Sequence, residues 1–310
     1  MDSEIRRGAV FAVAAFAFWG FTPLYYKLLG AVAPMDILAH RIVWTVMMGV
    51  LILWARRDWQ RLVALARCRG TMLILLASSL LISLNWFVYI YAVTSDRLLD
   101  ASLGYYINPL VNVLLGVTFL QERMSAARAL SVVLAALGTL NLAIGLGSMP
   151  WIALSLGFSF GFYGLLRKRL DVPVVGALVI ETGLLLLPAM AVLGWLHRTG
   201  GGAFLELGWD VSLLLIAGGP VTMLPLVWFT KAARRLPLNV VGLFQYLGPT
   251  ITFLLAVIVF EEPFTKTHAV TFSLIWSGLL ISTVDSLTRA RRIERDEGIG
   301  RAADDRSGAG

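Results

Sequence analysis

The feature that most constrains this 310-residue chain is a series of ten apolar runs, each long enough to cross a membrane as a helix. About 20 helical residues span a hydrocarbon core, and lipid offers an open backbone no hydrogen-bond partners. The runs cover residues 8–29, 36–54, 71–93, 101–120, 127–146, 150–166, 174–196, 211–230, 240–260 and 268–287. The sequence therefore predicts an all-α integral membrane protein with ten transmembrane helices.

Composition excludes a soluble domain, because 58% of the residues are hydrophobic and only 15% are charged. The net charge of +7 would suggest nucleic acid if the basic side chains formed one face. They fall instead in short clusters between apolar runs. We therefore expect a lipid bilayer and a small-molecule substrate as partners, and no nucleic acid.

The basic clusters predict the orientation of the chain. With a cytoplasmic N-terminus, 21 of the 26 Lys and Arg residues lie in inner segments and three lie in outer segments. Lys and Arg are enriched on the cytoplasmic side of membrane proteins. Both termini are therefore predicted to be cytoplasmic, in a multi-pass protein of a bacterial inner membrane.

An internal repeat relates the two halves of the chain. The segment 102–122 aligns with 242–262 at an offset of 140, with seven identities in 21 pairs. Five spans per copy is an odd number, so the second copy must enter the membrane in the opposite sense. The sequence thus predicts two inverted five-helix repeats, at 1–147 and 148–288, and a polar, disordered cytoplasmic tail at 289–310.

Each copy carries a proline at the same position, Pro109 and Pro249. Proline lacks the backbone N–H and clashes with the carbonyl four residues earlier, which frees the carbonyls of Tyr105 and Gln245. Paired proline-interrupted segments are the best sequence indication of a transporter's binding site. We predict helix breaks at both prolines; two kinked but continuous spans are the alternative.

Polar and aromatic side chains lie in the middle of the spans. They offer π faces and a few hydrogen-bond donors, which suit neutral, zwitterionic or aromatic small molecules. The predicted substrate-binding residues are Trp19, Asn85, Trp86, Tyr105, Tyr106, Asn108, Trp228, Gln245 and Tyr246. For each Trp and Tyr, the alternative is a place in an interfacial belt or against lipid.

Ionisable side chains inside the predicted spans are few, and we assign coupling or gating roles to Lys27, His40, Arg41 and Glu181. A buried charge is costly unless it is paired or hydrated, so each of these is a functional candidate. Structural ion pairs between helices are the alternative.

Arg41 and Glu181 are repeat equivalents, but inversion separates their depths by roughly 12 Å at about 1.5 Å per residue. We therefore expect them to have different partners. Glu181 is expected to meet the inner basic cluster of Arg167, Lys168 and Arg169, and Arg41 to meet Asp100, Glu261 or Glu262.

Motifs of enzymes and metal sites are missing from the sequence. It has no phosphate-binding glycine loop of the Walker type, no HExxH motif, and no metal-ligand spacing among its three histidines and one cysteine. We expect no cofactor, no metal ion and no enzymatic activity.

A family resemblance follows from motifs that occur in order along the chain: WGFTPLYYK, AHRIVWT, SLNWFVYIYAV, ASLGYYINPLVN and FQYLGPTITFLLAV. From about residue 7 to about residue 287, the chain resembles the RarD-type proteins of the EamA family, within the drug/metabolite transporter superfamily. The resemblance implies a bacterial inner-membrane secondary transporter with two five-helix repeats. Members of this group are associated with chloramphenicol sensitivity or resistance, and relatives export amino acids.

The sequence hypothesis is therefore a secondary transporter that exports an amphenicol-like drug or an amino-acid-like metabolite by alternating access. The two bent helices would contribute carbonyls and aromatic side chains to a site at the middle of the membrane. Proton exchange through Glu181 or His40 and simple uniport are both open at this point. A membrane enzyme or scaffold is the alternative from another class.

Overall fold

A computed structural model describes residues 3–57, 59–121, 124–168, 170, 172–236 and 238–307. Within these ranges every regular element is a helix. The helices are α1 (Ser3–Leu28), α2 (Pro34–Arg56), α3 (Trp59–Arg67), α4 (Arg69–Thr94), α5 (Leu98–Leu120), α6 (Ala126–Leu146), α7 (Trp151–Lys168), α8 (Val174–Leu184), α9 (Leu186–Thr199), α10 (Trp209–Ala233), α11 (Leu238–Phe244), α12 (Leu247–Leu254) and α13 (Lys266–Ser307). A π-helical turn, Leu255–Val259, continues α12.

Seven of the described helices are long and apolar enough to span a membrane. Helices α8 and α9 meet at an angle of 46° and count as an eighth span if they cross together. The apolar helix Leu247–Val259 is shorter. A multi-pass helical membrane protein is thus confirmed, and the number of ten spans stays a prediction.

Two helical segments were not expected from the sequence. Helix α3 lies in the arginine-rich segment between the second and third runs, and Leu62 and Leu65 on its apolar side pack against Leu75 and Ala177. At the other end, α13 continues through Ser307, where the sequence predicted a disordered tail. The tail contains Ala, Arg and Glu residues, which favour a helix that extends from a stable span.

The predicted break at Pro109 is wrong, because α5 runs through this proline without interruption. Proline removes one ladder hydrogen bond, and the neighbouring Asn108 ties the helix to α7 by donating to the Gly157 carbonyl at 3.1 Å. The second copy has Gly248 in the place of Asn108. There the helix does break, at residues 245–246 between α11 and α12, and Pro249 lies buried in the first turn of α12.

Helices that are repeat equivalents pack against each other antiparallel. At one end of α6, Ser125 donates to Asp285 of α13 at 3.0 Å. Near the other end of α6, Asn141 donates to the Thr267 carbonyl at 3.1 Å. Helix α5 is likewise antiparallel to α12. The first backbone N–H groups of α5 donate to Glu262, which lies beyond the C-terminal end of the π turn that continues α12.

The contacts of α1 and α7, the first helices of the two predicted repeats, are also equivalent. Helix α1 packs against α10 and α12. Helix α7 packs against α4 and α5, which are the counterparts of α10 and α12 in the first half. In terms of the predicted repeats, each of these two helices packs against the third and fourth helices of the other repeat.

The contact between α6 and α13 depends on small residues. A Cβ added at Gly278 would lie 2.8 Å from the Ser131 backbone carbonyl, closer than carbon and oxygen can approach. The structure places Ser131, Ala135 and Gly278 in this buried contact.

We expect the substitution Gly278→Ala to destabilise the protein by about 1–3 kcal/mol, because the two helix backbones must move apart. Thermal unfolding in detergent should show a Tm lower by at least about 2 °C. The matched control is Gly194→Ala in α9, where an added Cβ meets nothing within 4 Å. That variant should be as stable as the parent or more so. An unchanged Tm for Gly278→Ala would contradict the described packing.

Candidate functional site

Arg41 of α2 lies at the centre of a cluster to which α1, α4 and α10 also contribute. Its Cζ lies 4.0 Å from the centre of the Trp86 ring and 5.9 Å from that of Tyr26. On the α10 side, its Nε donates to Thr222 Oγ1 at 3.0 Å. The side chain is only partly buried although helices surround it. The residue therefore keeps part of its surface accessible at this contact between helices.

Four tyrosines lie in the neighbourhood of this guanidinium. They form a chain of ring contacts, with centroid distances of 4.8 Å from Tyr25 to Tyr26, 5.8 Å from Tyr26 to Tyr89 and 5.7 Å from Tyr89 to Tyr105. We call the set the arginine–aromatic cluster: Arg41, Tyr25, Tyr26, Trp86, Tyr89 and Tyr105. Aromatic faces suit both a cation and an apolar ligand.

Hydrogen bonds to neighbouring elements hold three of the tyrosines. The Tyr25 hydroxyl donates to the Leu214 carbonyl at 2.7 Å, and the Tyr89 hydroxyl lies 3.0 Å from Thr22 Oγ1. The Tyr105 hydroxyl donates to Asn85 Oδ1 at 3.2 Å. The exception is Tyr26, whose buried hydroxyl has no hydrogen-bond partner in the part of the chain that the structure describes.

No described carboxylate lies within ion-pair distance of Arg41. A charge of this kind at membrane depth costs at least about 2.5–3.5 kcal/mol. The contact with Trp86 offsets about 0.5–2 kcal/mol of that cost, and the hydrogen bond to Thr222 about 1.5–3 kcal/mol. The guanidinium is thus tolerated without a counter-ion, and its terminal nitrogens keep their donors available.

The predicted partners of Arg41 are wrong. Asp100 lies 2.7 Å from Arg97 Nη2, three residues away on the same turn of chain. Glu262 accepts from the backbone N–H groups at the start of α5, at 2.6 and 2.8 Å. Glu261 makes no ion pair with Arg41. Asp100 has a partner in its own helical turn and Glu262 has one at the start of a distant helix, and the repeat alignment revealed neither.

Two predicted binding residues connect helices. Asn85 donates to the Leu156 carbonyl at 3.1 Å and to Ser159 Oγ at 3.0 Å, both on α7. Asn108 donates to the same helix at Gly157. Asn85 also accepts from Tyr105, so it positions one wall of the arginine–aromatic cluster.

The remaining predicted binding residues lie outside this cluster. Trp19 packs against Phe16 and Phe229, with ring centroids 5.5 and 6.0 Å apart. Trp228 lies edge-on to Phe18 at 5.8 Å. Tyr106 lies on α5, which contacts α12. Gln245 and Tyr246 form the break before α12. The Tyr106 hydroxyl lies 2.7 Å from Thr250 Oγ1.

The structure confirms that Glu181 meets the inner basic cluster, through Arg167. Its carboxylate is fully buried, with Oε1 3.8 Å from Arg167 Nη1. Ser78 donates to Oε1 at 2.5 Å, and Tyr163 donates to Oε2 at 3.3 Å. Arg169, the third member of the predicted cluster, lies outside the described residues.

The other two predicted coupling residues have partners as well. Lys27 is at the end of α1 and forms an ion pair with Asp96. His40 Nε2 lies 3.5 Å from Asp36 Oδ1, and the His40 ring stacks on Phe204 at 5.0 Å. Its Nδ1 is buried without a hydrogen-bond partner among the described residues. His40 and Arg41, consecutive on α2, therefore point to different surroundings.

An apolar groove of about 510 Å³ lies elsewhere, between α2 and α10. Trp44, Met47 and Pro220 are among its lining residues, and it contains none of the predicted substrate-binding residues. It is open at the surface and has almost no polar lining. It therefore resembles a surface that faces acyl chains.

Sequence reasoning missed Tyr25, Tyr26, Tyr89 and Thr222. The first two occur in the WGFTPLYYK motif next to Lys27, where tyrosines near a span end are typical of an interfacial belt. Their place beside Arg41 comes from packing between α1 and α2. The signal that Thr222 offered was a polar residue within an apolar run. Only the packing of α10 against α2 places it opposite Arg41.

Comparisons with known proteins agree on one family. The model of the EamA-like transporter family matches residues 6–144 and again residues 148–284. An "Uncharacterized transporter" of Vibrio cholerae is 45% identical over 95% of this chain and 97% of its own length. "Protein RarD" of Escherichia coli is 41% identical over 95% and 100%. The "Chloramphenicol-sensitive protein RarD" of Pseudomonas aeruginosa is 30% identical over 93% and 97%.

A solved crystal structure shares the fold at a TM-score of 0.57. It covers 89% of this chain and 97% of its own, at 20% sequence identity. This likeness concerns the fold alone.

We expect Glu181→Gln to destabilise the protein by about 3–5 kcal/mol, because Arg167 would remain buried without a carboxylate. Thermal unfolding in detergent measures the effect, and the double variant with Arg167→Gln should lose less than the sum of the single losses. The control is Glu4→Gln, which removes the surface ion pairs of Glu4 with Arg7 and Arg235 and should change stability by less than about 1 kcal/mol. A Glu181→Gln variant as stable as the parent would contradict a structural pair.

Proposed function

Because this chain belongs to the EamA-like transporter family and is of the RarD type, we propose that it is a secondary active transporter that exports a small organic molecule across the bacterial inner membrane by alternating access. Both the family description and the names of the relatives indicate transport rather than catalysis. The alternative of a membrane enzyme or scaffold would require an acid–base or metal set. Among the described residues, no group of three or more His, Cys, Asp or Glu could hold a metal ion.

The observation that carries the proposal is the arginine–aromatic cluster. It combines a charged group that is accessible inside the bundle with a wall of aromatic rings, and helices of both halves surround it. A few polar groups within a mainly apolar and aromatic lining are typical of small-molecule sites. We place the substrate there rather than at the two prolines.

The proposed architecture is ten transmembrane helices in two inverted repeats, 1–147 and 148–288. Two matches of the same family model support the duplication. The antiparallel packing of α6 with α13 supports the inversion, since these helices are repeat equivalents. In this arrangement, the bent α8–α9 pair and the broken α11–α12 segment each make one crossing.

Alternating access would follow from this symmetry. Helix α1 sits between α10 and α12 as α7 sits between α4 and α5. Two such equivalent sets of contacts let one end of the bundle loosen while the other tightens. With both termini cytoplasmic, the ties of Lys27 to Asp96 and of Glu262 to the start of α5 close the outer end.

Proton exchange remains part of the proposal, with His40 as the better placed carrier. Glu181 is held by Arg167, Ser78 and Tyr163. The His40–Asp36 pair, by contrast, leaves one ring nitrogen without a partner in the described part of the chain. His40 also adjoins Arg41 in the sequence, so a proton there would act directly on the helix that carries the site. A uniporter without coupling is the competing form.

We expect the purified protein in proteoliposomes to move at least one compound of a panel that contains chloramphenicol, amino acids and aromatic acids, and Trp86→Ala to reduce the rate at least about tenfold, because the ring that holds Arg41 is removed. The control is Trp195→Ala, whose side chain is 63% exposed on the outside of α9 and should not matter. A rate that rises with an imposed pH gradient, and no longer does so in His40→Gln, supports proton exchange. Equal loss in both Trp variants would contradict the placement of the site.

A further inference from the structure

We propose that the arginine–aromatic cluster recognises a carboxylate, so that the transported molecule is an amphipathic organic anion with an aromatic or apolar body. This deepens the proposed transport function and rests on it. Three features of the cluster carry the inference: the free donors of Arg41, the unpartnered hydroxyl of Tyr26 and the lack of any acid beside them.

The guanidinium of Arg41 has free N–H donors in a planar arrangement that suits an anion. A guanidinium has five N–H donors. Only Nε has a partner, Thr222, in the described part of the chain. The two terminal nitrogens have no hydrogen-bond partner among the described residues, and they are not fully buried. They therefore face accessible space. Their four N–H groups match the two oxygens of one carboxylate in a bidentate arrangement.

Tyr26, whose ring faces the Arg41 guanidinium, has a second free donor. Its side chain is 1% exposed, and its hydroxyl has no hydrogen-bond partner among the described residues. The ring centre lies 5.9 Å from Arg41 Cζ. Buried hydroxyls in folded proteins nearly always have a partner, and leaving one unpaired is unfavourable. An oxygen of a bound carboxylate would satisfy this group.

The charges around the cluster exclude a cationic substrate. The acids of these segments are engaged away from Arg41: Asp36 Oδ2 accepts from the Ala203 backbone N–H and its Oδ1 lies 3.5 Å from His40 Nε2, Asp100 pairs with Arg97, and Glu181 pairs with Arg167. A cation would therefore meet a positive charge that no acid balances. A neutral ligand would cover Arg41 and leave it desolvated without a counter-ion, which is costly.

The body of the ligand would lie against aromatic rings. Trp86 covers one side of the guanidinium at 4.0 Å, and the ring chain continues through Tyr89 to Tyr105. These faces offer stacking and apolar contact but little charge. An aromatic monocarboxylate would match both parts of this site, with its carboxylate at the guanidinium and its ring against the aromatic side chains. A zwitterion fits less well, because its ammonium group finds no acid here.

Calorimetric titration of the full-length protein in lipid nanodiscs tests the proposal. The probes are three acids, benzoate, phenylacetate and indole-3-acetate, each with its neutral amide, together with phenethylamine as the cation. We expect at least one acid to bind, and to bind about 10- to 100-fold more tightly than its amide, because a hydrogen bond to a charged group is lost in the amide. Phenethylamine should not bind.

Variants assign the preference to the cluster. Arg41→Gln should remove the difference between acid and amide, and Tyr26→Phe should weaken acid binding about fivefold while the amide is unaffected. Arg198→Gln, at the outer end of α9, is the control and should leave the preference unchanged. If Arg41→Gln does not fold, the comparison of acids with amides on the parent protein still decides the question.

Equal binding of acids and amides, tighter binding of phenethylamine, or no binding of any acid would overturn the carboxylate proposal. If chloramphenicol or an amino acid is still transported in proteoliposomes, the proposed transport function stands without it. If nothing is transported either, both proposals fall together.

Discussion

The interaction on which the rest depends is the contact of a guanidinium with an indole. Arg41 lies at membrane depth, where a charge ordinarily requires an acid, yet its neighbours are the Trp86 ring and the Thr222 hydroxyl. Because an aromatic face stabilises a cation without neutralising it, the positive charge stays available. An acidic side chain in the place of Trp86 would form an ion pair with Arg41 and neutralise that charge. Arg41 differs in this respect from an ion pair that joins helices, as Glu181 and Arg167 do, and this difference is the basis of the proposed site.

The proposed duplication accounts for a site inside the bundle. The two halves interlock, since each first helix is inserted between helices of the other half, and equivalent helices such as α6 and α13 run antiparallel. Small residues such as Gly278 let these contacts close tightly. Arg41 and Glu181 occupy equivalent positions of the repeat, but one has an aromatic partner and the other a basic one.

Much of this could be predicted from the sequence, because apolar length and charge placement act locally. The runs anticipated the helices, and the inner basic cluster anticipated the partner of Glu181. Two kinds of information were missing. Local competition decided that Asp100 pairs with Arg97 and that α5 continues through Pro109, where Asn108 holds the helix against α7. Packing between distant segments brought Tyr26, Tyr89 and Thr222 to Arg41, and no periodicity in the sequence encodes that meeting.

The central claim is that the Arg41 guanidinium has no protein counter-ion and receives the substrate directly. An experimental structure of the protein in a lipid nanodisc, solved with a transported compound bound, tests it most directly. The account predicts ligand density within hydrogen-bond distance of the terminal nitrogens of Arg41, against the ring of Trp86. A carboxylate side chain paired with Arg41, or a ligand seated in the groove lined by Trp44 and Met47, would contradict it.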